Sequence, residues 1–161
     1  MKTYRQKEVI AQKLGQLEKM QAYLAYSTRR MRDNGIAGKI TQGLSDEEAE
    51  ILAAFRTRFS EYQEHTGKLI KAIAIDEEIK DTSAFSNVLA FAEKAGIIGN
   101  ESDWKEPRDV RNAISHDYEE SARELSELVR EMVGLVEQLM KIHDSAVKYC
   151  KDNLDVGATK L

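Results

Sequence analysis

From Tyr4 to Arg32, and again from Ala122 to Ala146, apolar residues return every three or four positions with no proline to interrupt them. That spacing gives a helix one apolar face and one charged face, so a chain that keeps it up this long is committed to long helices packed side by side. In the first stretch the stripe is Ile10, Leu14, Leu17, Met20 or Gln21, Leu24 and Met31. In the last it is Leu125, Leu128 or Val129, Met132, Leu135 or Val136, Leu139 and Ile142. One proline and nine glycines in 161 residues leave too little punctuation for many short strands. The expected fold class is all-α, an antiparallel bundle of about five helices.

Between the two stripes the boundaries follow from local chemistry. Arg29, Arg30 and Arg32 crowd the end of the first helix, where cations complement the negative end of the dipole, and Asn34-Gly35 offers a left-handed stop. Residues 36–44 read as a loop. Ser45 and Glu48 form a capping box that starts the second helix at Asp46. Its stripe of Leu52, Phe55, Phe59, Tyr62, Thr66, Leu69 or Ile70 and Ile73 carries it to about Ile79, with Gly67 weakening it without ending it. Asp81, Thr82 and Ser83 are expected to cap a third helix over Phe85, Val88, Leu89 and Ala92, closed by Gly96. The proline rule puts the start of the fourth helix near Pro107, with Trp104 ahead of it or in its first turn. This helix is expected to stop near Ser115 to Asp117, and Asp117 with Glu120 reads as the capping box of the fifth. The domain is expected to span residues 1–151, with 152–161 a loose tail.

Composition narrows the function classes. With 42% apolar and 32% charged residues the chain suits one globular domain. A net charge of -4 and an isoelectric point near 5.5 argue against a surface coated in cations for duplex binding, while leaving room for a local basic cleft. Cys150 is the only cysteine, so there is no internal disulfide and no cysteine-rich metal site, and a cytoplasmic setting is expected. No stretch reads as a signal sequence or a membrane span.

Arg111-Asn112-Ala113-Ile114-Ser115-His116-Asp117-Tyr118 concentrates the chemistry. It places a permanent cation, an amide, a side chain that titrates near neutrality and a phenol at the junction of two expected helices. Arg111 on the last turns of one helix, with His116 and Tyr118 at the start of the next, suits a phosphodiester. Cleaving RNA through its own 2'-hydroxyl needs a base, an acid for the departing oxygen and a cation for the crowded phosphate. His116 fits proton transfer and Arg111 phosphate binding; Asn112 fits positioning, and Tyr118 hydrogen bonding or base stacking.

Arg-Asn, three residues, His, one residue, Tyr resembles the Arg-X(4-6)-His motif of HEPN domains, most closely the HepT-like toxin branch. Arg58-Phe59, Gly96, Ile98 and Trp104 agree with that branch, whereas Pro107 stands where those relatives carry a large apolar residue. The resemblance implies a HEPN-like fold and a metal-independent, cofactor-free endoribonuclease of a toxin–antitoxin system. It implies a homodimer that sets two motifs across one cleft, RNA as substrate, and a minimal nucleotidyltransferase as antitoxin. It also implies Tyr118 as the residue that receives a nucleotidyl group (AMPylation), a bulky anion that would block the cleft.

Other readings stay open. Singly, Arg111 could be a surface ion pair with Asp117 or Glu120, His116 a helix cap and Tyr118 a packing residue. His116-Asp117 is also the central dipeptide of HD-type metal phosphohydrolases, with His65 and Asp144 nominally filling the other two places. A non-catalytic helical module that binds a nucleotidyltransferase is the third class. His65 and His143 read as surface or core-edge histidines. The acidic runs at Asp46, Asp76 and Glu119 read as helix caps and solvated faces, so no metal site is expected.

Overall fold

The computed structural model describes residues 2–114 and 121–160, with side chains from Arg5 onward. Six α-helices and no strand are present among the described residues: α1 (Lys2–Asp33), α2 (Ile36–Lys39), α3 (Asp46–Asp76), α4 (Phe85–Lys94), α5 (Glu101–Ile114) and α6 (Ala122–Tyr149). The chain is all-α, as the periodicity requires. None of the described helices is long and apolar enough to cross a membrane.

The two longest helices, α1 and α3, each run for about 45–50 Å and pack along their lengths. Gln6 donates to the Ala72 carbonyl, while Arg58 donates to the Tyr23 carbonyl and the Ser27 hydroxyl, so the pair is antiparallel. α6 packs against α1, α3 and α5 and closes the core. The stripes set this arrangement: Phe55, Phe59 and Tyr62 of α3 are fully buried, as are Ile10, Leu14, Leu17 and Leu24 of α1, and Val129, Met132 and Leu139 of α6.

The predicted capping box at Ser45 and Glu48 is present. The Glu48 carboxylate accepts the Ser45 N–H and pairs with Lys39 at 2.9 Å, which together hold that carboxyl down at about 2. α3 ends at Asp76 rather than Ile79, through a Schellman closure. Ile79 donates to the Ala74 carbonyl and Glu78 to that of Ile75, with Glu78 in the left-handed region at φ 59°. The same closure ends α4, with Gly96 in the left-handed place.

Several boundaries differ from expectation. Residues 36–44 are not a plain loop: Ile36 and Ile40 are buried four residues apart, and their burial folds the segment into α2 and a 3-10 turn over Ile40–Gln42. The Ser126 hydroxyl of α6 fastens it by donating to the Ala37 carbonyl. Ala84, not Asp81, Thr82 or Ser83, occupies the N-cap of α4, without a side-chain cap. Asp81 is itself left-handed, and its carbonyl accepts from Asn87. α5 starts at Glu101, six residues before the expected site, with Pro107 inside it and buried. The carbonyl that Pro107 leaves unbonded, that of Asp103, accepts from Gln138 of α6 at 2.6 Å. α6 is capped by Ser121, which accepts from the Glu124 N–H. The box expected at Asp117 and Glu120 lies outside the described residues. The segment expected to be a loose tail is docked. A short π-helical turn, Cys150–Leu154, buries Leu154, Val156 is buried after it, and Thr159 donates to the Ala11 carbonyl of α1.

Candidate functional site

α5 is held on α3 by complementary shape. Gly67 of α3 lacks a β-carbon, and the Trp104 indole occupies that space; a β-carbon at Gly67 would stand 2.8 Å from the ring. Phe85 of α4 tilts against the same indole with centroids 6.0 Å apart. Trp104, Pro107, Val110 and Ile114 are buried, which turns Arg108, Arg111 and Asn112 toward an open groove between α3 and α5. At the end of α5, Arg56 donates to the Ile114 carbonyl at 3.0 Å, fixing the last described residue before 115–120.

The predicted phosphate-binding residue Arg111 lies on this groove. Its Nη1 donates to Oε1 of the buried Gln63 at 2.8 Å, and its Nη2 is 3.6 Å from Glu64 Oε2. About a third of the Arg111 side chain is exposed. Gln63 therefore fixes one arm of the guanidinium, and the other arm is set in a solvent-facing ion pair. Asn112 lines the same groove. The structure thus brings two of the four predicted site residues together; His116 and Tyr118 lie outside the described residues. No family model matches this chain, and comparison with curated proteins and with solved structures returned no match.

The groove holds residues that sequence reasoning did not single out. Among the described residues, Lys68 and Lys71 from α3, and Arg108 from α5, line it with Arg111, against one carboxylate, that of Glu64. Its volume is about 390 Å³. Lys68 is 3.6 Å from Glu64, and Arg108 is 3.2 Å from Asp109. Each helix supplies its cations three residues apart, a pattern visible in the sequence, but only the fold sets the two pairs facing one another.

The other residues singled out in the sequence take structural places. Arg58 braces α3 to α1 and lies 5.3 Å over the Tyr23 ring. Phe59, Ile98 and Trp104 are core, and Gly96 is a helix stop. Arg30 pairs with Glu47 at 3.5 Å, and Arg29 lies 5.9 Å from the Tyr26 ring centroid. His65 sits among Lys13, Glu61, Glu64 and Lys68, whereas Asp144 acts on Tyr62 and His143. His143 is neither surface nor core edge: it is 1% exposed, with Nδ1 2.6 Å from the Tyr62 hydroxyl. Burial pushes its pKa down and that of Tyr62 up, while its buried Nε2 has no hydrogen-bond partner among the described residues.

Proposed function

We propose that this chain is a metal-independent endoribonuclease of the HEPN type, the toxin of a bacterial or archaeal toxin–antitoxin pair that works as a homodimer. The observation that carries the reading is the setting of Arg111. It is fixed by Gln63 on one arm and opens onto a groove rich in cations, with Asn112 beside it and the His116 segment following directly in the chain.

In this reading Arg111 grips the scissile phosphate, more tightly as charge grows on its oxygens, and exchanges the exposed Glu64 for it. His116 moves the proton between the 2'-hydroxyl and the departing 5'-oxygen, with the second histidine supplied by the other protomer. Asn112 positions the substrate, and Tyr118 contacts it until a minimal nucleotidyltransferase modifies that phenol and closes the cleft.

The test is expression of wild type and His116→Ala in bacteria, followed by growth and RNA integrity, with cleavage by the purified proteins in chelator. Wild type is expected to arrest growth and cut RNA in the presence of chelator. His116→Ala should cut about 10²–10⁴-fold more slowly. Equal, harmless behaviour of the two rejects the nuclease, and activity abolished by chelator points to the HD-type metal phosphohydrolase.

The ion pair between Arg111 and Glu64 favours a second reading, in which Arg111 is structural and the domain binds a nucleotidyltransferase without cutting RNA. Co-purification with such a partner, together with harmless expression, would select it.

A further inference from the structure

The groove between α3 and α5 extends away from the motif. Arg111 meets Gln63 and Glu64 at one level, and Trp104 meets Gly67 one step along. Lys71 then lies seven residues beyond Glu64, about 10 Å along the helix. Among the described residues four cations and one carboxylate line it, in a chain whose net charge is -4, so their positive charge is concentrated here against the overall balance. Its floor is aromatic and small: half-buried Phe85, backed by Trp104, with Gly67 between the cations. Cationic walls over an aromatic floor match a nucleotide that offers a phosphate on one side and a π-face on the other. A base paired in a duplex is stacked away from such a floor, so the fitting ligand is a single strand.

We infer that this groove is a subsite for single-stranded RNA flanking the scissile position, in which Lys71 and Arg108 take a neighbouring phosphate and Phe85 takes a base. The assignment of Arg111 to the scissile phosphate rests on the ribonuclease reading; the binding itself does not. The ion pairs of Arg108 with Asp109 and of Lys68 with Glu64 are solvent-exposed, so phosphate exchanges with them at little cost.

The experiment uses the full chain carrying His116→Ala, so that RNA stays intact, and measures binding of a fluorescent single-stranded oligoribonucleotide across a salt series. Lys71→Ala with Arg108→Ala is expected to weaken binding about tenfold and to flatten the logarithmic salt slope by about 1.4, as two lost phosphate contacts require. Lys71→Arg with Arg108→Lys keeps both charges and is expected to bind as the parent does. Phe85→Ala is expected to weaken RNA about tenfold while leaving a poly-glutamate peptide unaffected. Circular dichroism melting of each variant separates lost binding from lost fold.

Unchanged affinity and salt slope in the double alanine variant of normal helicity overturns the subsite, as does a poly-glutamate peptide that displaces RNA at equal charge. In an otherwise wild-type background the double variant should lose cleavage of a long RNA and keep cleavage of a dinucleotide. RNA binding that depends on Lys71 and Arg108, with no cleavage by wild type, leaves the subsite standing and rejects the nuclease alone.

Discussion

Gly67 has no β-carbon, and the Trp104 indole fills the space where one would stand. In a helical stripe such a glycine reads only as a weak point, because the tryptophan that needs it arrives 37 residues later in the chain. Alanine there gains about 1 kcal/mol of helix propensity, but its methyl would meet two carbons of a buried ring at 2.8 and 3.0 Å. Overpacking of that kind costs about 1–3 kcal/mol. The balance is a loss, and Gly67→Ala is therefore expected to destabilise the fold by up to about 2 kcal/mol in urea denaturation. Gly134, an exposed residue of α6 with open space where its β-carbon would be, supplies the opposite sign. Gly134→Ala should stabilise by up to about 1 kcal/mol. Equal gains from both substitutions would mean that Trp104 yields freely. Glu78 shows the converse limit of sequence reading: it holds a left-handed position that a glycine would have signalled, so the end of α3 was expected three residues late.

At the scale of elements, the stripes and the Ser45–Glu48 box made α1, α3 and α6 readable, because each records its own buried face in local spacing. α5 was misplaced for a reason that local spacing cannot record. A proline inside a helix removes one N–H donor and strands the carbonyl four residues back; here Gln138, from another helix, replaces the missing donor at Asp103. Gln138→Leu removes that partner from a partly buried carbonyl and is expected to cost about 1–3 kcal/mol. Pro107→Ala restores a backbone N–H able to reach the same carbonyl. The double variant should therefore lose less than the sum of the two single effects. A double-mutant cycle on urea midpoints measures this, and strict additivity would show that the Gln138 contact does not compensate for the proline. α2 was missed for a related reason: an apolar pair four residues apart is too short to count as a stripe, yet Ile36 and Ile40 are both buried beneath α6.

On the scale of the whole molecule, the candidate site could be sketched only as far as one eight-residue string allows, and His116 and Tyr118 of that string lie outside the described residues. Arg111 and Asn112 do share a groove, but Gln63, which fixes the guanidinium, and the facing cations of α3 could not be tied to them without the fold. His143 was missed in the same way, since a stripe containing Leu139, Ile142 and Ala146 does not reveal which flanking residue the core also covers. Its burial makes the entire fold sensitive to acid. Unfolded, His143 binds a proton at its ordinary 6.5; folded, burial delays that to lower pH, opposed only in part by Asp144 and Glu18. Acidification through that interval protonates the unfolded chain alone. The stability His143 contributes is complete above about 6.5 and is lost as pH falls toward the folded value. His65 is shifted in the same direction, so the variant must isolate one histidine. His143→Gln can still accept from the Tyr62 hydroxyl but cannot titrate. Its urea midpoint should fall less steeply than that of wild type as pH is lowered through this interval, and parallel curves would mean that His143 takes its proton without leaving the folded state.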